Sequence, residues 1–317
     1  MKFDLTEKNS YCSIILTELA SGLTPRILFA QISSLTAYSL ADVETIKSSI
    51  SGKPLIILGG GFLGVEVAAN LAEKRETFDT SSVKIIMPEN EPLSALFGEE
   101  IGKVVRDRLT QFGVEIISGS VPINADKENI WLENGTMVSH KGSIVINAVG
   151  TFLDEIGYPN ILERTELHDG KIKTDDTGKT SISDVYAVGD CASFGRYQNR
   201  PHWAFAQETG KIAANHILQN SEELKIRETF VWSAIAGMNL RSVGNCLRDS
   251  DVTDYKFFEN GDVKICLFLD QSNFVLGAVT INADPLCAKL ATLFEHQKVP
   301  FSDCVGGKNL INLNDFL

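Results

Sequence analysis

The sequence predicts an α/β fold, and three stretches predict it. "LIILGGGFLGVEVAANLAEK" (55–74) runs from an apolar strand through a glycine turn into an alanine-rich helix. "DVYAVGD" (184–190) is a second short strand ending on a turn, with a helical stretch from Trp203 to Leu218 after it. "DYKFFENGDVKICLFLD" (254–270) and "FVLGAVTINA" (274–283) read as antiparallel strands. They precede the helix "PLCAKLATLFEHQ", which has Pro285 in its first turn.

The remaining elements follow from local pattern. "SIILTELASG" (13–22) reads as a strand, and "LADVETIKSSI" (40–50) as a helix with apolar residues at helical spacing, closed by Gly52 and Pro54. Beyond the glycine turn come the strand "SVKIIM" (82–87), the helix "GEEIGKVVRDRLTQF" (98–112) and the strand "VEIIS" (114–118). "NIWLENGTMVSH" (129–140) alternates around Asn134-Gly135, the strongest short hairpin signal. "SIVINAVG" (143–150) is a buried-type strand. The pattern divides the chain at 1–50, 51–150, 151–220 and 221–317, the last an α/β unit of mixed character.

Composition narrows the function classes. The 29 basic and 41 acidic residues leave a net charge of −12. Nucleic acid and anionic membrane both need a basic face, so neither is an expected partner. No apolar run approaches the roughly 18 residues of a membrane span. The opening "MKFDLTEKNS" has no signal or transit layout, so the expected location is the cytoplasm, or the mitochondrion if a further segment precedes it. The 6 cysteines are scattered with no C-x-x-C, which excludes the adjacent redox pair and the common zinc spacings; no metal is expected.

Gly59, Gly61 and Gly64 stand in G-x-G-x-x-G spacing. The first permits a tight turn, the second lets backbone approach a pyrophosphate, and the third lets the helix pack on the strand. With the strand before and the helix after, the turn is expected to hold a dinucleotide at the helix N-terminus. The acid for the adenosine ribose belongs at the end of the next strand. That position is Met87, with Glu89 two residues on; Glu89 reads as the ribose partner or as a solvated loop carboxylate. No arginine lies between Lys84 and Arg106 to clamp a 2′-phosphate, so NADH is favoured over NADPH. A short-chain dehydrogenase needs Tyr-x-x-x-Lys, and no tyrosine here has Lys at that spacing.

"TDDTGKTSISDVYAVGDCA" (174–192) supplies the second signal. Gly189-Asp190 ends a strand at the kind of turn that holds FAD, although Asp190 alone reads equally as a turn or N-cap residue. With the upstream glycine turn, the sequence resembles the two-dinucleotide-binding flavoprotein oxidoreductases. The stretches "RPHWAFAQETGKIAANHI" (200–217), "FVWSAIAGMNLRSVGN" (230–245) and "VLGAVTINADPLCAKLATLF" (275–294) place it on the apoptosis-inducing-factor-like branch. The resemblance covers about residues 24 to 300. It implies an FAD domain interrupted by a Rossmann-like NAD domain, then a smaller C-terminal domain, with hydride passing from NADH to flavin and on to an unidentified electron acceptor.

Residue by residue, the resemblance gives Gly59, Gly61 and Gly64 to the NAD turn, and Glu66 to an acid beside the nicotinamide. Gly150 is counted with the cofactor-binding residues, and Gly189 and Asp190 with the FAD turn. His202 and Trp203 open the helix aimed at the flavin, and Trp232 is the flavin-facing aromatic. Read alone, either tryptophan could be core and His202 a local hydrogen-bonder. The sequence departs from the family in one respect. Members carry a first G-x-G-x-x-G for the FAD pyrophosphate, whereas this sequence has one such turn in all, and the family's Ala-Thr-Gly strand end reads "TELASG". About 30 residues of a βαβ unit are therefore expected to be missing. Weak or no FAD retention follows, and a bared strand edge favours self-association, with a homodimer the assembly to expect. A flavin-free remnant that binds NAD or a partner without catalysis is the second reading.

Overall fold

The computed structural model describes residues 14–16, 34–37, 39–150, 167–168, 171–195, 202–220, 224, 230–246, 251–305 and 313–316. "TELASG" and Cys12 lie outside them. In chain order the strands begin with β1 (Ile14–Leu16), β2 (Ser34–Leu35), β3 (Pro54–Leu58), β4 (Ser82–Ile86) and β5 (Val114–Ile117). They continue with β6 (Pro122–Ala125), β7 (Asn129–Leu132), β8 (Met137–Ser139), β9 (Ile144–Asn147) and β10 (Leu167–His168). Next are β11 (Lys171–Thr174), β12 (Val185–Ala187), β13 (Ala192–Phe194), β14 (Phe230–Ile235) and β15 (Met238–Gly244). The last are β16 (Asp254–Asn260), β17 (Val263–Leu269), β18 (Phe274–Ile281) and β19 (Val299–Pro300). The helices are α1 (Leu40–Ser49), α2 (Phe62–Glu73), α3 (Arg75–Phe78), α4 (Ser94–Gln111), α5 (Trp203–Ile217), α6 (Leu286–Phe294) and α7 (Phe301–Val305).

The chain forms two compact units: residues 24–150 with 228–317, and residues 1–23 with 151–227. In the first, a parallel sheet of 5 strands has the order β2-β9-β3-β4-β5. Residues 34–50, within the 1–50 segment of the sequence division, join this sheet: β2 pairs with β9, and α1 follows β2, closed at its start by a Ser39–Asp42 capping box. Alternate residues of β3 face opposite layers, as strand geometry requires. Leu55 and Ile57 pack in the helix-side core with Val65, Ile101 and Leu109. Ile56 and Leu58 meet Ile130, Leu132 and Val138 of the small β6-β7-β8 sheet. Burial on both faces explains why β3 reads as a continuous apolar run.

The C-terminal half of this unit is an antiparallel sheet in the order β14-β15-β18-β17-β16, with β19 on β18. One face packs under α6 through Ile265, Leu267, Ala278 and Leu290. The other face joins the core of the parallel-sheet layer, with Ile235, Leu240, Cys266, Phe268 and Val279 beside Val65, Ala69 and Ala72 of α2. The buried positions of α2 (Gly64, Val65, Ala68, Ala69, Leu71 and Ala72) accordingly spread wider than one amphipathic stripe. The tight β14–β15 hairpin has Ala236 and Gly237 at φ 47° and 77°. Alanine is an uncommon residue there. The Arg108 Nε from α4 donates to the Ala236 carbonyl at 2.6 Å and ties the turn down.

In the second unit β1 runs parallel to β12, and β11 lies between antiparallel β10 and parallel β13. Its core joins Ile172, Tyr186, Ala187, Phe194, Phe205 and Ala213, so α5 covers the strands.

Ile235 is fully buried at the seam between β14 and α2. Ile235→Ala should lower unfolding stability by about 2–5 kcal/mol, the range for deleting a buried branched side chain. Urea unfolding checks this, and a loss well under that range would mean the seam is loosely packed.

Candidate functional site

The glycine turn packs three backbones together. Gly59 sits at φ +112°, and a Cβ there would lie 2.6 Å from the Ala148 carbonyl oxygen at the end of β9. A Cβ on Gly64 would fall on the Gly59 carbonyl oxygen, with the Ala148 methyl at 3.4 Å. Gly60, which the spacing does not single out, is crowded too: a Cβ there would force the Met87 side chain to shift. Met87, the position read as the nominal ribose acid, is wholly buried beneath the turn.

Gly61 differs from all of these. It begins α2 with φ −75° and ψ −176°, which any residue adopts, and no side chain caps the helix. A Cβ there would meet nothing within 4 Å. The chain's own packing gives no reason for glycine at this position, whereas a ligand pressed against the backbone does. The first-turn amides of α2 and its dipole face that open space. Gly150 is exposed at φ +126°, just past the Ala148–Val149 segment that closes on Gly59.

Glu89 follows β4 on the loop beside the turn. Its backbone carbonyl accepts the Gly119 N–H at 3.1 Å, which fixes the loop. Its Oε2 is buried with no hydrogen-bond partner among the described residues. A buried, unpaired carboxylate oxygen costs free energy until a donor arrives, and a ribose hydroxyl is such a donor. The residues present thus fit a dinucleotide. Arg106, the first arginine beyond the window read in the sequence, reaches this loop from α4: it pairs with Glu91 and donates to the Asn90 carbonyl and, at 3.1 Å, to the Ser118 Oγ.

Glu66, on the first turns of α2, faces the antiparallel sheet. The buried Ser233 hydroxyl donates to its Oε1 at 2.5 Å. Ser233 is adjacent to Trp232, which is 53% exposed, and Trp203 is 54% exposed; neither tryptophan is a core residue. The Phe230 and Trp232 rings lie 6.5 Å apart along one strand face. Ser233 went unassigned in the sequence because it is 167 residues from its partner.

Within the second unit, Gly189 turns at φ +71° against Ala206, and its N–H donates to the Thr209 Oγ1 at 3.0 Å. Thr209, fully buried in α5, is a residue the motifs did not mark. The Asp190 carboxylate accepts the His202 backbone N–H. Burial pushes the Asp190 carboxyl up, opposed by the Lys171 ammonium and His202. Burial likewise holds Lys171 down, opposed by Asp190 and Cys191. His202 is the N-cap of α5, its Nδ1 accepting the Ala204 N–H at 3.3 Å. The strand end, turn and helix start around Asp190 are thus held together by the chain's own hydrogen bonds.

Residues 8–210 match the pyridine nucleotide-disulphide oxidoreductase family. The chain belongs to that family. The match begins at residue 8, upstream of the stretch that carries the motif resemblance, and it includes both Gly59–Gly64 and Gly189-Asp190. Mouse apoptosis-inducing factor 3 is 26% identical over 290 residues, covering 86% of this chain and 46% of its own length. The seedling isozyme of cucumber (Cucumis sativus) monodehydroascorbate reductase is 35% identical over 159 residues, covering 48% of this chain and 34% of its own. The chain thus spans less than half the length of either relative.

Two solved structures share the fold of this pyridine nucleotide-disulphide oxidoreductase. An FAD-dependent pyridine nucleotide-disulphide oxidoreductase from Desulfovibrio vulgaris superposes with TM-score 0.72 at 17% identity, covering 92% of this chain and 78% of that one. Putidaredoxin reductase, solved as a covalent complex with putidaredoxin, superposes with TM-score 0.69 at 18% identity over 83% of this chain and 63% of that one. Both show the two-dinucleotide-binding α/β architecture.

The α5 cap makes a pH prediction. Burial holds His202 below its ordinary 6.5, with Asp190 opposing. Because the folded pKa lies below the unfolded one, the unfolded chain takes the proton first as pH falls. Stability from the neutral cap is therefore complete above about pH 6.5 and lost as pH drops through the folded value. His202→Asn keeps a cap acceptor without the titration. Melting temperatures from about pH 7 to about pH 5 should fall more steeply for the wild type than for H202N; parallel curves would refute this account of the cap.

Proposed function

We propose that this chain is the nucleotide-binding core of an NADH oxidoreductase of the apoptosis-inducing-factor-like type, using FAD and passing electrons to an acceptor. The observation that carries the reading is Gly61: the one glycine of the motif that the chain's packing leaves open, at an uncapped helix start. Bound flavin supplies the redox chemistry, accepting hydride from NADH and releasing electrons onward. The protein's part is to bind and orient. The first-turn amides of α2 take the pyrophosphate, and the unpaired Glu89 oxygen takes a ribose hydroxyl. Ser233 holds one oxygen of Glu66 and so fixes the carboxylate's direction on the nicotinamide side of the helix.

Asp190 is assigned to the FAD hydroxyls and the α5 start to the flavin end, with Trp203 and Trp232 as flavin-facing aromatics. For the acceptor, the fold shared with putidaredoxin reductase and with the ferredoxin reductase of Rhodopseudomonas palustris supports a small redox protein. The flavin-free reading is not favoured, because the family match runs through both dinucleotide turns.

Gly61→Val should leave the fold intact, since the side chain enters empty space, yet weaken NADH binding by about 100-fold, equivalent to about 3 kcal/mol. Calorimetric titration measures this; equal affinities would remove the turn from the nucleotide site. Weak FAD retention is expected from the sequence, but the family match runs through both turns. The chain given excess FAD and then freed of unbound cofactor should therefore show the visible spectrum of bound oxidised flavin, bleaching on anaerobic addition of NADH. A protein that binds NADH but never retains flavin would overturn the oxidoreductase reading and leave a nucleotide-binding one.

A further inference from the structure

The loop from Met87 to Pro92 is clamped on two sides. The Met87 N–H donates to the Ile117 carbonyl at 2.9 Å, and the Gly119 N–H to that of Glu89 at 3.1 Å. On the other side α4 presses so close that a Cβ on Gly102 would lie 2.5 Å from the Glu91 Cβ. The loop therefore has little freedom to move away from its neighbours. Two carboxylates, Glu89 and Glu91, leave it, and one guanidinium arrives, that of Arg106. Arg106 gives its Nε to the Glu91 Oε2 and its Nη2 to the Asn90 carbonyl and the Ser118 hydroxyl. The pair is largely shielded, with side chains 27% and 15% exposed.

We propose that Glu91 is a specificity latch that sets this site for NADH by occupying Arg106, which is otherwise a ready clamp for a 2′-phosphate. The proposal rests on the reading of the Gly59–Gly64 turn as the nucleotide site. At the end of the second strand of such a unit, an acid recognises the ribose hydroxyls of NADH, while a nearby arginine accommodates the NADPH phosphate. Both residue types meet at this loop, the acids on it and the arginine reaching it from α4. Discrimination comes from how they are paired. With Glu91 ionised against Arg106, an arriving phosphate dianion meets the Glu89 and Glu91 charges and a guanidinium already neutralised. The unwanted ligand is thus rejected by repulsion as well as by lack of contact. Neutralising Glu91 removes one repelling charge and leaves a shielded guanidinium without a counterion, a state that strongly favours a new anion. The two neutral oxygens that remain, of Asn90 and Ser118, would keep Arg106 aimed at the loop.

The test uses binding rather than turnover, so it does not depend on flavin. ADP-ribose and 2′-phospho-ADP-ribose, which differ only in the phosphate, are titrated calorimetrically into wild type, Glu91→Gln and the double variant E91Q/R106Q. Wild type should prefer ADP-ribose by about 10-fold or more. E91Q should shift the ratio toward the phosphorylated ligand by about 10- to 100-fold, the span of one or two charge-assisted hydrogen bonds. Adding R106Q should cancel most of that gain, which assigns it to the arginine rather than to lost repulsion. An unchanged ratio in E91Q, with ADP-ribose still bound, overturns the latch while leaving the nucleotide site standing. Failure of wild type to bind either ligand overturns the nucleotide reading and the latch with it. Should E91Q fail to fold, Glu91→Ser takes its place, and a wild-type preference for 2′-phospho-ADP-ribose overturns the proposal without any variant.

Discussion

At the glycine turn, backbone meets backbone with no side chain between. The start of α2 rests on the exit of β3, and that exit in turn rests against the end of β9. Close approach of this kind is available only where Cβ atoms are missing, so Gly59 and Gly64 fix how near the helix lies to the sheet. The position of α2 then decides what its far side can reach. That far side carries Val65, Ala69 and Ala72 into the same core as Ile235, Leu240 and Val279 of the antiparallel sheet. A helix held further from its own sheet would displace the second one.

The small residues of α2 serve both contacts. Alanines at 68, 69 and 72 let two sheets approach one helix, and a single acid, Glu66, interrupts the apolar surface at the seam. A carboxylate there is tolerable because it is half-buried and receives the Ser233 hydroxyl. The same contact joins the helix that begins at the glycine turn to the strand that carries Trp232. One hydrogen bond thus sets the relation between the residue assigned to the nicotinamide and the strand assigned to the flavin, both within a single compact unit.

Much of this was legible in the sequence. The strand, turn and helix at 54–73 and the hairpin at Asn134-Gly135 announce themselves by local chemistry, because a glycine at positive φ is needed whatever surrounds it. What escaped the reading depends on distant partners. The β14–β15 hairpin turns on Ala236-Gly237, a weak signal, because Arg108 from α4 holds it. Gly60 is crowded only because Met87 lies under it. Arg106 bounds the arginine-free stretch that begins at Lys84, yet a helix running back along its own sheet brings it to the loop after β4. A search by sequence distance misses such a residue for a geometric reason: the β-α-β path folds chain positions 15 or more apart onto one rim.

Two of the helices, α2 and α5, show why glycine turns lead to different assignments. Each lies against a glycine at positive φ that follows a short parallel strand: Gly59 after β3 for α2, and Gly189 after β12, packed on Ala206, for α5. The amides at the start of α2 have no side-chain cap and no acid in the first turn, so the positive end of its dipole is available to an incoming anion. The start of α5 is already satisfied from within: His202 accepts the Ala204 N–H, and the Asp190 carboxylate accepts that of His202. A phosphate placed there would face a fixed carboxylate. What α5 can offer a ligand is that carboxylate itself, partly buried and balanced by Lys171, which suits hydroxyl groups rather than phosphate. The proposed division of labour, pyrophosphate at α2 and polyol at Asp190, rests on which helix start the chain has left uncapped.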